Sequence, residues 1–182
     1  TATFVRKRLD YEPSGHDFWH TYRVWKTATK IAKNEKADLL VVQLAALLHD
    51  IADWKFHRGN EKIGPATAKK WLHKLGVDDS TAAHTCEIIR NVSFKGAKVK
   101  SKMRTIEGKV VQDADRLDAI GAIGIARAFA YGGFKRRKLY DPKIKPMLHT
   151  SFADYKKSKG STINHFYEKL LLLKDLMNTE TA

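Results

Sequence analysis

Four side chains of the types that bind divalent metal ions stand at or near the ends of apolar segments: His20, the adjacent pair His49-Asp50, and Asp115. The pair closes the apolar run 39–48, where an unpaired charge would be costly unless it met a metal ion or a counter-charge. Neutral imidazole nitrogens and carboxylate oxygens suit ions that assist phosphate chemistry and leave positions open for water and substrate. The set therefore predicts a metal site.

These candidates are far apart in the sequence, with 29 residues from His20 to His49 and 65 from Asp50 to Asp115. Such gaps match no local zinc-finger spacing, so separate helices must bring the ligands together. Adjacent residues diverge by about 100° on a helix, and His49 and Asp50 reach one ion only if it lies beside the helix end.

Two other carboxylates compete with Asp115 for the last ligand position. Asp113 and Asp118 flank it, and Asp118 is three residues further on, where it can share a helix face with Asp115. We favour Asp115. A second His-Asp pair, His16-Asp17, shows that the dipeptide alone is weak support for a metal site.

Composition places the chain among globular proteins. Its 182 residues are best read as one domain, 1–182, and its single cysteine excludes an internal disulfide. No apolar run approaches the roughly 18 residues of a membrane helix, and no leader opens the chain, so we expect a cytoplasmic protein and no membrane partner. The net charge of +14 favours polyanionic partners, with a merely solubilising basic surface as the alternative.

Helical periodicity and capping residues recur along the chain, and no strand-like alternation persists, so we predict an all-α fold. One helix, capped by Asp38, is expected to run through His49-Asp50 and on to Trp54. The region 133–160 is rich in Lys and Tyr and is predicted to be a basic loop or lid. The other predicted helices are 17–34, 64–76, 78–92, one or two within 104–131, and 161–177.

Three ordered motifs carry a resemblance to a known family. The segments His20-Thr21-Tyr22-Arg23-Val24, Leu47-Leu48-His49-Asp50-Ile51 and Ala114-Asp115-Arg116-Leu117 resemble the motif set of the HD-domain metal-dependent phosphohydrolases. Their flanks are similar to a small bacterial branch associated with nucleotide pyrophosphohydrolase activity. The resemblance covers about residues 16–133, and the final helix more loosely.

The resemblance implies that His20, His49, Asp50 and Asp115 bind one divalent ion, with Mn²⁺ favoured and Mg²⁺, Ni²⁺, Co²⁺ or Zn²⁺ as alternatives. Some relatives hold a second metal ion through extra histidines. This chain has none in the corresponding stretch 88–94, and His84 lies one or two turns earlier. We therefore predict one metal ion and a structural role for His84.

The remaining predicted roles concern catalysis and phosphate binding. Asp53, three residues after Asp50, is the candidate base for the attacking water, with a surface carboxylate at a helix end as the alternative. Arg23 suits bidentate phosphate binding, or alternatively an ion pair with an acid near the site. Resembling segments add further phosphate-binding candidates, each weighed against a solvated basic side chain: Lys55, His57, Lys95 and Arg127.

By resemblance, the expected activity is metal-dependent hydrolysis of (deoxy)nucleoside triphosphates to monophosphate and pyrophosphate, with a small-molecule nucleotide as the partner. Monophosphate phosphatase or cyclic-nucleotide phosphodiesterase activity is the alternative within the enzymes, because the same ligands serve all of them. A non-catalytic basic module that binds nucleotide or nucleic acid is the alternative from another class, and nucleic acid is the less favoured partner.

Overall fold

The computed structural model describes residues 1–182. The chain is built from α-helices, two short 3₁₀ helices (Trp54–Phe56 and Leu170–Leu176) and connecting loops, and it has no strands, which confirms the all-α prediction. The α-helices are α1 (Ala2–Leu9), α2 (Phe18–Asn34), α3 (Leu39–Leu48), α4 (Ile63–Lys74), α5 (Asp79–Asn91), α6 (Ile106–Asp118), α7 (Gly121–Phe134), α8 (Phe152–Lys157) and α9 (Thr162–Glu168).

Side-chain caps set where the two central helices begin. The carboxylate of Asp17 accepts a hydrogen bond from the backbone N–H of His20 at 2.8 Å, and Asp38 accepts one from that of Leu40 at 2.8 Å. Each cap satisfies a donor that the first helical turn leaves free. The first cap places His20 in the opening turn of α2, and the second starts α3, a helix of ten residues that ends at Leu48.

Helix α3 is apolar on all sides because it lies between two parts of the core. One face, which includes Val42 and Ala46, packs with α2 and α6. The other, which includes Leu44 and Leu48, packs toward α1, α4 and α5. A helix that is apolar all round is normally buried, and this one carries His49 at its end into the interior.

The predicted continuation of this helix to Trp54 is wrong. Helix α3 ends at Leu48, and the chain turns before a short 3₁₀ helix begins at Trp54. The Asp53 carboxylate accepts a hydrogen bond from the backbone N–H of Lys55 at 2.8 Å and so caps this new turn. Aspartate side chains compete with helical hydrogen bonds in this way.

The predicted helix 161–177 is also divided. Helix α9 ends at Glu168, Lys169 has a non-helical backbone (φ −142°, ψ −62°), and a 3₁₀ helix follows. The buried residues of that segment are Leu170 and Leu173, and a spacing of three places both on one face of a 3₁₀ helix.

The region 133–160 holds the short helix α8, which was not predicted, and neither was α1. The preceding helix α7 continues through Gly132-Gly133 to Phe134, three residues beyond the predicted helical segment 104–131. No helix of the chain combines the length and the apolarity that crossing a membrane requires.

The last residues of the chain bind to helix α6. The carboxylate of Asp113, which is fully buried, accepts hydrogen bonds from the backbone and side chain of both Asn178 and Thr179 at distances of 2.6–3.0 Å. This contact holds α6 on the face opposite Asp115 and the predicted metal site, because Asp113 and Asp115 are two residues apart and point about 200° apart around the helix.

Candidate metal centre and adjoining basic cleft

The structure brings the four predicted metal ligands together. The Nε2 atom of His20 lies 3.2 Å from that of His49, 3.3 Å from Asp50 Oδ2 and 3.5 Å from Asp115 Oδ1. The Nε2 atom of His49 lies 3.4 Å and 3.8 Å from the same two oxygens. Ligands at about 2.0–2.2 Å from one ion stand about 3–4 Å from each other, so His20, His49 and Asp50 have the spacing of a metal site, and Asp115 contacts both histidines.

Hydrogen bonds fix which ring nitrogen of each histidine faces the cluster. The Nδ1 of His20 lies 2.7 Å from Asp118 Oδ2, and the Nδ1 of His49 lies 2.8 Å from the carbonyl oxygen of Ala46. Each Nδ1 therefore carries a proton that it donates, which leaves the Nε2 lone pairs of the two rings facing each other. Two lone pairs at 3.2 Å repel unless a positive charge lies between them.

The charges within the cluster indicate the same need for a cation. Burial opposes a charged His49, but the carboxylates of Asp50 and Asp115 outweigh burial and raise the pKa of His49 to about 9. Burial likewise opposes ionisation of Asp50, yet His49 and His20 hold the pKa of Asp50 well below its usual range. A proton or a metal ion satisfies this negative centre, and the His/Asp set fits a divalent metal.

The two rival carboxylates lie outside the cluster. Asp118 accepts hydrogen bonds from His20 Nδ1 and from Arg127 Nη1 at 2.9 Å, so it contacts the outer side of a ligand. Asp113 is occupied by Asn178 and Thr179. The geometry thus favours Asp115 over either neighbour.

The Arg23 guanidinium pairs with Asp118, which is the alternative that the sequence left open. Its Nε lies 2.6 Å from Asp118 Oδ1 and its Nη2 lies 3.1 Å from Oδ2. Two of its donors are committed to an acid, so the predicted bidentate contact of Arg23 with phosphate has little support in this geometry. Hydrogen bonds from His20 and Arg23 outweigh the opposing effect of burial and hold the pKa of Asp118 well below its usual range.

The predicted base Asp53 is buried and ion-paired, and it is not a surface carboxylate. Its Oδ2 lies 2.8 Å from Lys55 Nζ, and its Oδ1 accepts from the Lys55 backbone. Burial opposes the charge of Lys55, but Asp53 and Asp50 outweigh it and raise the pKa of Lys55 above its usual value. A carboxylate engaged at both oxygens is a poorer base than the spacing predicted.

Three other predicted residues lie away from the cluster. His57 is exposed, and Lys95 lies 3.9 Å from Glu61 over the ring of Phe152. Neither lines the cleft described below, so their phosphate-binding roles stay predictions. His84 contacts Thr105 at 3.0 Å, outside the cluster.

A basic cleft of about 610 Å³ adjoins the cluster. Three residues that line the cleft, His16, Lys55 and Arg127, lie next to the cluster. Arg127 donates a hydrogen bond to Asp118, and Lys55 Nζ lies 3.2 Å from His16 Nε2. The cleft has one acidic lining residue, Glu168, and nine basic ones: Lys55, Arg127, Lys135, Arg136, Arg137, Lys138, Lys156, Lys159 and Lys169. Most of these come from the region 133–160, which forms a wall of the cleft.

Two cleft residues with special environments were missed from the sequence. His16 was set aside as part of a chance His-Asp pair, although it lies four residues before the predicted ligand His20. Lys169 lies at the α9 junction, where burial and the nearby Lys55 lower its pKa to about 8. No local pattern marks a lysine whose environment is made by distant segments.

Comparison with known proteins identifies the family. The sequence profile of the HD domain matches residues 18–120, which span α2 to the end of α6 and hold all four predicted ligands. YpgQ of Bacillus subtilis is 41% identical over 181 residues, which cover 99% of this chain and 80% of YpgQ. The chain therefore belongs to the HD domain family.

Solved structures agree with this assignment. A Lactobacillus plantarum protein is 40% identical with a TM-score of 0.89, covering 99% of this chain and 83% of its own. An HD-superfamily hydrolase of Bacillus thuringiensis is 44% identical with a TM-score of 0.68, and the match covers 99% of this chain and 81% of that protein's chain. YpgQ in complex with ADP is 39% identical with a TM-score of 0.71, and the match covers 100% of this chain and 85% of the YpgQ chain. With its family, the chain is an HD-superfamily hydrolase.

Proposed function

We propose that this protein is a metal-dependent phosphohydrolase that splits (deoxy)nucleoside triphosphates into monophosphate and pyrophosphate. The observation that carries the proposal is the approach of two histidine Nε2 atoms to each other and to two carboxylates, at 3.2–3.8 Å, beside a cleft lined by nine basic residues. His20, His49, Asp50 and Asp115 would hold one divalent ion, with Mn²⁺ favoured. When bound, such an ion would supply Lewis-acid charge at a phosphoryl oxygen and would lower the pKa of a bound water molecule.

The cleft supports an anionic substrate of nucleotide size. Its volume of about 610 Å³ lies within the usual range of small-molecule sites, and its excess of positive charge favours several phosphate groups. The relative YpgQ has been crystallised in complex with ADP, which supports a nucleotide as the ligand of this chain also.

The residues of the chain have separate tasks in this proposal. Lys55 lines the cleft and lies 3.2 Å from His16 Nε2, so it would neutralise charge on a phosphate bound beside the metal ion. Arg127 donates to Asp118 from the cleft wall, so one of its nitrogens orients the His20 side of the site. The basic residues of 135–138 lie along the cleft wall, where they suit the leaving phosphates.

The choice of triphosphates over monophosphates and cyclic nucleotides rests on two considerations. One is the similarity of the flanking segments to the pyrophosphohydrolase branch. The other is the number of basic side chains that line the cleft, nine against one acidic one. A single phosphate would leave most of these cations without a partner.

The proposal is tested by phosphorus NMR. Metal-stripped protein receives Mn²⁺ and a mixture of deoxynucleoside triphosphates, and the products are identified by their resonances. We expect pyrophosphate and monophosphates from the wild type and none from Asp50→Ala. Asp79→Ala is the matched control, because Asp79 is an exposed aspartate on α5 whose contact is with His73, and neither residue belongs to the cluster.

Orthophosphate as the product would contradict cleavage between the α and β phosphates and would direct the assay to monophosphates. Turnover of a cyclic nucleotide alone would establish the phosphodiesterase. Polyanion binding without any turnover, unchanged in Asp50→Ala, would establish a binding module.

A further inference from the structure

A second set of metal-ligand side chains lies directly beside the predicted metal centre. Donor atoms of His16, Asp50 and Asp53 all lie within 4.8 Å of one another. Asp50 belongs to both sets, so the two positions are adjacent and share one carboxylate. Two adjacent cation positions that share a carboxylate have the general arrangement of a two-metal site.

The second position already holds a positive charge from the chain itself. The Nζ atom of Lys55 lies 2.8 Å from Asp53 Oδ2 and 3.2 Å from His16 Nε2. The Asp53 side chain is 3% exposed and that of Lys55 is 20% exposed, so this ion pair is largely shielded from solvent. The ammonium thus contacts two of the three donors that a metal ion would use.

The surroundings of His16 orient its ring as they would for a cation ligand. The Oγ of Ser14 donates to Glu12 Oε2 at 2.7 Å and therefore accepts from His16 Nδ1 at 3.0 Å. Glu12 also accepts the backbone N–H of His16 at 3.0 Å. With Nδ1 as the donor, the lone pair of His16 Nε2 points at Lys55, and outer hydrogen bonds of this kind are typical of metal-bound histidines.

We propose that the Lys55 ammonium takes the place of a second divalent cation between Asp53 and His16, and thereby keeps the centre at one metal ion. Two of its three N–H donors are used by Asp53 and His16. Because Lys55 also lines the cleft, the third donor is available to a phosphoryl oxygen of the substrate. This last contact rests on the proposed function, whereas the replacement of a metal ion does not.

The test is a count of bound metal ions. Wild type, Lys55→Ala and Lys55→Arg are dialysed against saturating Mn²⁺, and the bound manganese is measured by mass spectrometry. We expect Lys55→Ala to bind about one more Mn²⁺ per chain than the wild type, and Lys55→Arg, which keeps a cation, to match the wild type. An equal count in Lys55→Ala and the wild type would overturn the proposal.

A double variant locates the additional ion. Asp53→Asn in the Lys55→Ala background removes a carboxylate of the second position, so the additional Mn²⁺ should be lost. If it persists, it binds elsewhere and the proposal is wrong. Lys138→Met is the matched control, since it breaks a Lys–Asp contact of similar length, 2.7 Å to Asp141, outside the cluster, and should leave the count unchanged.

A measurement on the unaltered protein covers the case in which Lys55→Ala does not fold. Electron paramagnetic resonance of the wild type at saturating Mn²⁺ should show only uncoupled manganese, and a spin-coupled pair would overturn the proposal. Neither measurement uses a substrate. A protein that hydrolyses no triphosphate therefore contradicts the proposed function, while the difference in metal count still decides the role of Lys55.

Discussion

The Asp118 carboxylate lies 2.7 Å from Nδ1 of His20, and this contact decides which nitrogen of His20 faces the metal cluster. The same carboxylate also accepts hydrogen bonds from Arg23 and Arg127. Asp118, the last residue of α6, is thus bound by two residues of α2 and one of α7. A residue that binds no metal itself thus positions one that is predicted to do so.

Replacing Asp118 with asparagine should weaken metal binding. An amide is a weaker acceptor than a carboxylate for the Nδ1–H of His20, and it leaves Arg23 and Arg127 without a counter-charge. Changes in hydrogen bonds to the outer side of a metal ligand typically cost about 10- to 100-fold in metal affinity. Isothermal titration with Mn²⁺ measures the loss. Asp79→Asn on the surface serves as the control, and an unchanged affinity in Asp118→Asn would remove the role assigned to this contact.

Mn²⁺ should stabilise the wild type against heat. The ion relieves the repulsion between His20 and His49 and binds only the folded cluster, and a ligand at 100 times its dissociation constant adds about 2.7 kcal/mol. Calorimetry with and without Mn²⁺ should show a rise in the unfolding midpoint that a chelator reverses. His49→Gln should lose most of the rise and His73→Gln on the surface should keep it. An equal rise in both variants would place the stabilising ion elsewhere.

Substrate affinity should depend on pH through Lys169. Its pKa of about 8 lies below the ordinary lysine value, so the amine is protonated at pH 7 and mostly neutral at pH 9. The KM for a triphosphate should therefore rise several-fold between these pH values as a cation of the cleft is lost. Lys169→Met should have a high KM at both, whereas Lys174→Met, at an exposed position of the same segment, should keep the pH dependence. A KM that is independent of pH in the wild type would argue against a substrate contact.

Two glycines of α7 should respond to alanine in opposite directions. A Cβ at Gly124 would lie 2.2 Å from the carbonyl oxygen of Ala119, whereas at Gly133 nothing lies within 4 Å. Gly133→Ala should raise the free energy of unfolding by about 0.5–1 kcal/mol, because alanine is the better helix former. Gly124→Ala should lower the free energy of unfolding, because either α7 or the backbone at Ala119 must shift to make room for the Cβ atom. Urea denaturation compares the two, and equal effects would contradict the close approach at Gly124.

The helices α2 to α6, which carry the predicted ligands, were accessible from the sequence because their signals are local. Asp38 caps α3, and the apolar run that follows ends at His49-Asp50, as the pattern indicates. The end of α3 was not accessible in the same way. Whether Asp53 continues a helix or caps a new turn depends on a competition between side-chain and backbone hydrogen bonds that periodicity does not register.

The role of Asp53 was harder to predict for a different reason. Its spacing from Asp50 suits a catalytic base, but its partner is Lys55, which also contacts His16, 39 residues before Lys55 in the chain. The basic cleft is likewise assembled from segments that are far apart, such as 54–55, 127–138 and 155–170. Which cation meets which anion is a property of tertiary packing, and no spacing rule encodes it.

The contact between Asp113 and the last residues of the chain restricts rotation of α6 about its own axis. Turning this helix about its axis would break the hydrogen bonds that Asn178 and Thr179 donate to Asp113. The angular position of Asp115, on the far side of the same helix, is thus set by residues more than sixty positions away. Substitutions at Asn178 or Thr179, remote from any reacting atom, would register as a change in metal affinity.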